Sequence, residues 1–264
     1  MHISSANISF RLIAWPLWYQ LKRKEYSLIL DDDVFLKGDL SALEQRLFLR
    51  MLKGAKEIEV RSTYMKDVLV QKEISAEKIM INRPHLVNAT ISGTYRAIGK
   101  GAARNKVKLI GKIILSAGTL AEWNGFAILL MSMPELLKRF PFLHLVIFGE
   151  GPSKEAVETS IKNLGLGNKV SLIVSNDKEL LNLYIEAADI FLLNSKDEGL
   201  SEALFRAVEH RVPIITTDTG ANAEIFQDGK NALLINPNNS RQIVKAVEKL
   251  LLREDIAERL TSFE

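Results

Sequence analysis

From residue 112 onwards, short apolar runs alternate with amphipathic segments. Five apolar runs predict strands: KIILSAG, LHLVIFGEG, KVSLIV, DIFLLN and VPIITT. The segments between and after them repeat apolar residues at helical spacing: GFAILLMSMPELLKRFP, SKEAVETSIKNLGLG, DKELLNLYIEAA, a segment from about Ser201 to Glu209, and SRQIVKAVEKLLLRED. Strands that are apolar throughout are typical of parallel sheets covered by helices on both faces. This half of the chain therefore predicts a doubly wound, Rossmann-like α/β domain that binds ligands at the carboxyl ends of its strands.

The first half of the chain has a weaker pattern of the same kind. It predicts strands at 26–33, 56–62 and 77–82, and helices at 40–55 and 63–74. We therefore expect a smaller, incomplete α/β domain at residues 1–91 and the larger domain at residues 107–264.

Residues 92–106 lie between these domains and combine glycine with positive charge. From 92 to 112 the chain has no acidic residue and six basic ones: Arg96, Lys100, Arg104, Lys106, Lys108 and Lys112. Glycine together with like charges is typical of a linker between domains. The charges fit either a solvated surface segment, which we prefer, or contact with a phosphate or lipid headgroup.

Composition limits the classes of function. The chain has 264 residues, of which 47% are hydrophobic and 25% charged, so it can bury one large core or two modest ones. A net charge of +3 favours anionic ligands or an acidic membrane surface, but the basic residues are not interleaved with aromatic ones, so we expect no nucleic-acid partner. The absence of cysteine excludes thiolate chemistry and suits a reducing cytoplasm.

The N-terminal residues 8–24 are aromatic and end in a basic cluster. They fit either a segment lying on a membrane surface or the partly buried start of a domain; Pro16 interrupts a helix here and favours the second. No run of about 18 apolar residues is present. Any membrane contact is therefore expected to be peripheral, at the inner face.

Several predicted strands of the larger domain are followed by a glycine: Gly118, Gly149 to Gly151, Gly199 and Gly220. A glycine at such a turn lets backbone N–H groups approach a ligand, and the N-terminus of the next helix favours negative charge. Several such turns along one sheet edge predict a site for a nucleotide diphosphate.

Rival motifs give weaker predictions. The run DDD at 31–33 is compatible with a metal-binding acidic pair, but a solvated strand end is favoured. The four histidines lack metal-ligand spacing, and Ser201 lacks a GxSxG context. We therefore expect no metal and no serine hydrolase.

From about residue 107 to 252 the chain resembles the nucleotide-sugar-binding half of the retaining glycosyltransferases of family 4, which have the two-domain GT-B fold. The resemblance rests on five segments in order: ILSAGTLAEWNG, LVIFGEGP, LGLGNKVSLI, LLNLYIEAADIFLLNSKDEGLSEALFRAVEHRVPIITTDTG and AEIFQDGKNALLINPNN. A weaker match at 54–81 resembles the end of the family's acceptor-side domain. Because the first domain is shorter than in the family, we expect a protein partner to complete it.

The resemblance implies roles for the residues that match the family's donor site. Glu198 matches the first of two glutamates and is expected to contact the donor sugar as the catalytic residue. The donor-binding set that the resemblance implies comprises Gly118, Thr119, Asn124, Glu150, Val174, Gly199, Leu200, Ser201 and Arg206. In the family, a nucleotide diphosphate sugar is the co-substrate and usually no metal or other cofactor is needed.

Three positions depart from the family pattern. Thr119 and Asn124 stand where the family has a basic pair that neutralises the diphosphate, and Arg206 replaces the second glutamate, which holds the ribose. Arg206 either restores a positive charge or pairs with Glu202 one helical turn earlier; we favour the pair.

Two functions follow from the resemblance and the departures. The first is a glycosyltransferase of hexosyl type that transfers sugar with retention to a glycan or lipid-linked acceptor, in cell-surface polysaccharide or glycolipid synthesis. The second is a non-catalytic relative that binds sugar nucleotides or serves as a partner subunit.

Overall fold

The computed structural model of the protein describes residues 2–3, 25–30, 42–82, 96–196 and 201–262. Contacts within the chain divide it into two compact units. Described residues up to Asn82 belong to the first unit, and those from Arg96 onwards belong to the second.

The first unit is built on a parallel sheet whose described strands follow one another in chain order. Its strands are β1 (His2–Ile3), β2 (Ser27–Leu30), β3 (Glu57–Val60) and β4 (Ile79–Ile81), and its helices are α1 (Ala42–Gly54) and α2 (Thr63–Gln71). Buried residues alternate with less buried ones along β2 and β3, so one face of the sheet packs on the helices. The predicted small α/β domain is therefore present here, whereas the DDD run lies outside the described residues.

The second unit contains a six-stranded parallel sheet in the order β10-β9-β8-β5-β6-β7. Its strands are β5 (Lys112–Ala117), β6 (Leu143–Phe148), β7 (Val170–Ile173), β8 (Ile190–Leu193), β9 (Ile214–Thr217) and β10 (Leu233–Ile235). Its helices are α3 (Lys100–Val107), α4 (Phe126–Arg139), α5 (Lys154–Asn163), α6 (Lys178–Ala187), α7 (Glu202–Glu209), α8 (Asn222–Ile225), α9 (Ser240–Leu252) and α10 (Glu254–Thr261). The predicted α/β class with a Rossmann-like parallel sheet is confirmed.

Both faces of this sheet are covered, which explains why its strands are apolar throughout. In β5, Ile114 belongs to the apolar cluster under α4, α5, α9 and α10, whereas Ile113 and Leu115 belong to the cluster under α3, α6 and α7. Successive side chains of a strand point to opposite faces, so two cores require an unbroken apolar run.

The C-terminal segment departs from the single predicted helix. Helix α9 ends at Leu252, Arg253 has non-helical backbone angles, and α10 begins at Glu254. The break redirects the chain so that Ile256 and Leu260 are buried in the same cluster as α9.

The predicted linker at 92–106 is helical from Lys100 onwards. Helix α3 buries Ala103 completely in the cluster that it shares with α6 and α7. The sequence suggested a linker because glycine and basic residues occur together without an acidic residue; the structure buries Ala103 and leaves Lys100 and Lys106 exposed. This helix is therefore part of the second unit.

Asp189 anchors α3 to the sheet. It lies at the start of β8 with 11% of its side chain exposed, and it accepts hydrogen bonds from Arg104, from Lys100 Nζ at 2.9 Å and from the Ile113 N–H at 2.8 Å. Lys112 Nζ lies 3.7 Å from Asp189 Oδ1. One nearly buried carboxylate thus gathers three cations and one backbone donor.

Replacing Asp189 with alanine should destabilise the second unit by about 2 kcal/mol, because partly buried cations lose their counter-ion. Urea unfolding followed by circular dichroism would measure the loss. Asp255→Ala is the matched control, since the Asp255–Arg253 ion pair is exposed and should contribute little. Equal effects of the two substitutions would contradict the anchoring role.

Candidate functional site

The sheet of the second unit has one topological switch point, between β5 and β8. From β5 the chain continues to β6 and β7 on one side, and β8 then returns to the other side of β5. Ligands of open parallel sheets bind outside the carboxyl ends of the strands at such a point. The loops that leave β5 and β8 there start at Gly118 and Asn194.

The loop after β5 is joined to the loop after β6 by backbone hydrogen bonds. Gly118 N–H donates to Phe148 O at 3.0 Å, and Leu120 N–H donates to Glu150 O at 2.8 Å. Gly149 makes this contact sterically allowed, since a Cβ on it would lie 1.9 Å from Gly118 O. The close approach fixes the backbone of the first loop in the position where a ligand would meet it.

Thr119 and Asn124, the two positions where the resemblance led us to expect a basic pair, are bonded to each other. Asn124 Nδ2 donates to Thr119 O at 2.7 Å, and only 1% of Asn124 is exposed. The amide therefore closes its own loop instead of extending from it. A buried neutral amide at this position supplies no positive charge to a ligand.

The loop after β8 packs against the end of the first loop. Lys196 N–H donates to Trp123 O at 2.8 Å, and Asn194 Nδ2 donates to Gly125 O at 3.3 Å. Gly125 has a positive φ, and a Cβ there would lie 2.2 Å from Asn194 O. The two loops of the switch point are thus held together by backbone contacts.

Buried polar atoms collect at these strand ends. Within the described part of the chain, four side-chain oxygens there have no hydrogen-bond partner: Ser116 Oγ, Asn124 Oδ1, Asn194 Oδ1 and Ser195 Oγ. Each unpaired buried polar group costs about 1–3 kcal/mol. Such groups are retained mainly where function requires them, which favours this edge as the functional one.

Ser201 caps the helix that follows. Its Oγ accepts from Leu204 N–H at 3.4 Å, and 8% of the residue is exposed. Glu198, Gly199 and Leu200 lie outside the described residues, so the sugar-contacting role of Glu198 stays a prediction.

Arg206 forms the salt bridge that its spacing predicts. Its guanidinium donates to Glu202 Oε1 at 2.8 Å and to Asn182 Oδ1 at 2.9 Å, with 12% of its side chain exposed. Lys178 Nζ donates to the same Glu202 carboxylate at 2.7 Å. Arg206 therefore ties α7 to α6 through a network of four side chains.

The charge state of Glu202 follows from this network. Partial burial acts to raise the pKa of the carboxyl, but hydrogen bonds and charge from Lys178 and Arg206 outweigh it and lower the pKa. Glu202 is therefore ionised at neutral pH, and its negative charge offsets part of the positive charge of Arg206 and Lys178.

Two other predicted residues lie on the loops that follow β6 and β7. Glu150 is exposed, and its backbone O holds the loop of Gly118, as described above. Val174 is 44% exposed and precedes Asp177, which caps α6 through hydrogen bonds from Glu179 N–H and Leu180 N–H.

Sequence reasoning missed several residues that organise this edge. Asn182 is almost fully buried within the apolar stripe of α6, and an asparagine among leucines was the signal that it has a specific partner. Asn194 and Ser195 directly follow β8 and are buried, as expected of polar residues at a functional strand end.

Metal-ligand clusters and membrane-spanning helices are both absent from the described residues. No group of three or more His, Asp or Glu side chains there could hold a metal ion. None of the described helices is both long and apolar enough to cross a membrane. The expectation that no metal takes part stays a prediction.

Replacing Gly149 with alanine should destabilise the second unit by about 3 kcal/mol, because the new Cβ would overlap Gly118 O. Gly167→Ala is the matched control, since nothing lies within 4 Å of a Cβ there. Thermal unfolding of both variants would measure the difference, and an unchanged Gly149→Ala variant would contradict the close approach.

Glu202→Gln should remove a pH-dependent part of the stability. Because the folded state lowers the pKa of Glu202, its contribution is present at neutral pH and is lost as the pH falls below about 4. The difference in unfolding free energy between wild type and Glu202→Gln should therefore shrink from about pH 6 to about pH 3.

The control for this titration is Glu179→Gln, which changes an exposed glutamate in the first turn of α6. Urea unfolding at each pH gives both differences. If the difference in unfolding free energy between wild type and Glu202→Gln did not change with pH, the charge of Glu202 would contribute nothing to stability.

Comparison with known proteins assigns a family to the second unit. The profile of "Glycosyl transferases group 1" matches residues 102–263. The chain is 31% identical to a 2-deoxystreptamine N-acetyl-D-glucosaminyltransferase of Niallia circulans over 60% of this chain and 41% of that protein. It is 25% identical to an N-acetylgalactosaminyltransferase of Campylobacter jejuni that acts on a diphospho-undecaprenol-linked sugar, over 83% of this chain and 57% of that protein.

The fold is also that of solved glycosyltransferase structures. Anabaena Alr3699/HepE in complex with UDP and glucose superposes with a TM-score of 0.79 at 15% identity, over 95% of this chain and 68% of that one. The C-terminal domain of a glycosyl transferase group 1 protein of Francisella tularensis gives a TM-score of 0.57 at 23% identity, over 64% of this chain and 90% of that one.

The matched region spans about two fifths of the Niallia circulans relative and somewhat more than half of the Campylobacter jejuni one. The family match, by contrast, covers well over half of this chain, and its range includes every strand of the six-stranded sheet. The chain belongs to the glycosyl transferases group 1 family.

Proposed function

We propose that the chain is a glycosyltransferase of the retaining family 4 type, which transfers a hexosyl group from a nucleotide diphosphate sugar. The acceptor is a glycan or a lipid-linked sugar in cell-surface polysaccharide or glycolipid synthesis. The reaction takes place in the cytoplasm, peripherally at the inner face of the membrane.

The observation that carries the proposal is the pair of loops at the switch point. Hydrogen bonds and glycine contacts hold the backbone of the first loop next to the loop after β6, while the loop after β8 leads into α7. Backbone N–H groups and a helix N-terminus at one strand edge suit a diphosphate. Solved neighbours of the same fold, such as Anabaena HepE, were crystallised with UDP.

The reaction requires stabilisation of the leaving nucleoside diphosphate. The anomeric carbon exchanges its bond to a diphosphate oxygen for a bond to the acceptor hydroxyl oxygen. Negative charge develops on the departing diphosphate, which can take up the proton that the hydroxyl loses. Preorganised donors aimed at that charge lower the barrier, each contributing about 10²–10³ in rate. Here the backbone N–H groups of Thr119 and Ser201 would be the donors, because the Gly118 N–H is already bonded to Phe148 O, and Glu198 would orient the sugar.

A second function is favoured by the neutral loop. Asn124 is buried and bonded to Thr119, and Arg206 is tied to Glu202 and Asn182, so none of the three departures restores the group that it replaces. A chain with this site would bind a sugar nucleotide without rapid turnover and act as a partner subunit.

Calorimetric titration with UDP-, GDP- and ADP-glucose, together with a donor hydrolysis assay, tests the proposal. We expect micromolar binding of one nucleotide class, and an at least about 10²-fold loss of turnover in Glu198→Ala. Glu155→Ala, an exposed glutamate of α5, is the control. Binding without turnover in wild type would favour the partner function, and absence of binding to all three would overturn the donor site.

The substitution Thr119→Arg tests whether the diphosphate binds next to residue 119. An arginine there adds a positive charge beside the loop and should tighten donor binding about fivefold or more at low salt, an advantage lost at high salt. Thr119→Gln adds comparable bulk without charge and should leave affinity nearly unchanged. Equal affinities of the two variants would place the diphosphate elsewhere.

A further inference from the structure

The edge of the six-stranded sheet opposite the candidate site carries an unusual surface. Three neighbouring segments lead into β5, β6 and β7 at their amino ends, namely 104–112, 138–144 and 162–169, and we call them the basic edge. The strands pair in parallel with Lys112 opposite Leu143 and Leu145 opposite Val170, so the segments lie side by side. A Cβ on Gly111 would lie 3.2 Å from Phe142 Cβ, which confirms that the first two segments touch.

Each segment of the basic edge presents an apolar side chain to solvent. Ile110 is 84% exposed, Phe142 is 76% exposed and Leu164 is 37% exposed. Ile110 and Phe142 are the two most exposed large apolar residues in the described part of the chain. Side chains of this kind, projecting from neighbouring turns rather than forming a flat patch, suit shallow insertion between lipid headgroups.

Positive charge surrounds these apolar residues. The basic edge contains eight cations and no carboxylate: Arg104, Lys106, Lys108, Lys112, Lys138, Arg139, Lys162 and Lys169. Among the described residues, two carboxylates from other elements reach it: Asp189 contacts Arg104 and Lys112, and Glu248 contacts Arg139 at 2.6 Å. Eight cations against two carboxylates leave a surplus of six.

The surplus shows that charge is segregated within the chain. The whole chain carries a formal net charge of only +3, so everything outside the basic edge and its two carboxylates sums to −3. His144 adds nothing, because burial and the nearby charge of Lys169 lower its pKa. Lys106 and Lys108 are exposed and have no ion pair among the described residues, so they can meet an external anion.

We propose that the basic edge docks the second unit on the surface of an anionic lipid bilayer, with Ile110, Phe142 and Leu164 entering the headgroup region. Lysines attract anionic lipids within a Debye length of the surface, and apolar anchors add an attraction that salt does not screen. A protein partner fits less well, because lysine is depleted in the cores of protein interfaces. A nucleic acid fits less well, because aliphatic anchors provide no stacking platform for bases.

Docking by this edge is compatible with an open donor site. The candidate site lies at the carboxyl ends of the same strands, and β5 with six residues spans about 20 Å. The inference deepens the peripheral membrane location of the proposed function and rests on it in that respect, but its test is separate from catalysis, since lipid binding is measured without donor or acceptor.

Flotation with lipid vesicles tests the proposal on the full chain. We expect binding to phosphatidylcholine vesicles that contain about 30% phosphatidylglycerol, little binding to phosphatidylcholine alone, and a marked fall from about 50 mM to about 500 mM salt. No binding to the anionic vesicles at low salt would overturn the proposal.

Two variants, each with a control, separate the apolar contribution to vesicle binding from the electrostatic one. Ile110→Ser/Phe142→Ser should lower the partition coefficient about tenfold or more, whereas Met131→Ser, an exposed methionine on α4 outside the basic edge, should not. Lys106→Glu/Lys108→Glu should weaken binding similarly, whereas Lys245→Glu on α9 should have a much smaller effect.

These variants remove exposed side chains, so folding is checked by circular dichroism and the oligomeric state by size exclusion. Vesicle binding that is unaffected by Ile110→Ser/Phe142→Ser would overturn the apolar anchoring. A shift of the oligomeric state by the same variant, with unchanged vesicle binding, would identify the surface as a contact between copies and would also overturn the proposal.

Discussion

The pairing of β8 with β5 is the contact on which the second unit depends. It places Ile114 opposite Ile190 in the middle of the sheet and creates the switch point between the two halves of the fold. At the amino end of this pair, Asp189 holds three cations and fastens α3; at the carboxyl end, Asn194 meets the backbone of Gly125. One strand pairing thus positions both the candidate donor loops and the charged edge behind them.

The chain distributes its charge in an unusual way for a protein proposed to bind a diphosphate. Cations concentrate at the amino edge of the sheet, whereas the loop at the donor edge is closed by the neutral contact between Asn124 and Thr119. A ligand at the switch point would therefore be held mainly by backbone dipoles and by a helix N-terminus, which need close contact because they act over short range. Because Gly149 and Gly125 have no side chain, the backbones of the loops at this edge can lie in direct contact with one another.

The sequence predicted those parts of the fold that depend on local patterns. Five of the six strands of this sheet were predicted, because burial on both faces requires an unbroken apolar run, whereas β10 (Leu233–Ile235) was not predicted. Helix α3 was missed because its inward stripe is a single buried alanine among basic residues, and the break at Arg253 depends on packing that no local pattern encodes. At the site, the i,i+4 pair of Arg206 and Glu202 was predictable, whereas the contact of Arg206 with Asn182 joins two helices and follows only from the fold.

Arg206 is coupled to its neighbours on two helices. A glutamate at this position would lie one helical turn from Glu202 and would face the amide oxygen of Asn182, both of which now accept hydrogen bonds from the guanidinium. Like charges at that spacing are unfavourable, and an acceptor would meet an acceptor. The arginine, Glu202, Lys178 and Asn182 are therefore one coupled set, and a glutamate at position 206 alone would be unfavourable within it.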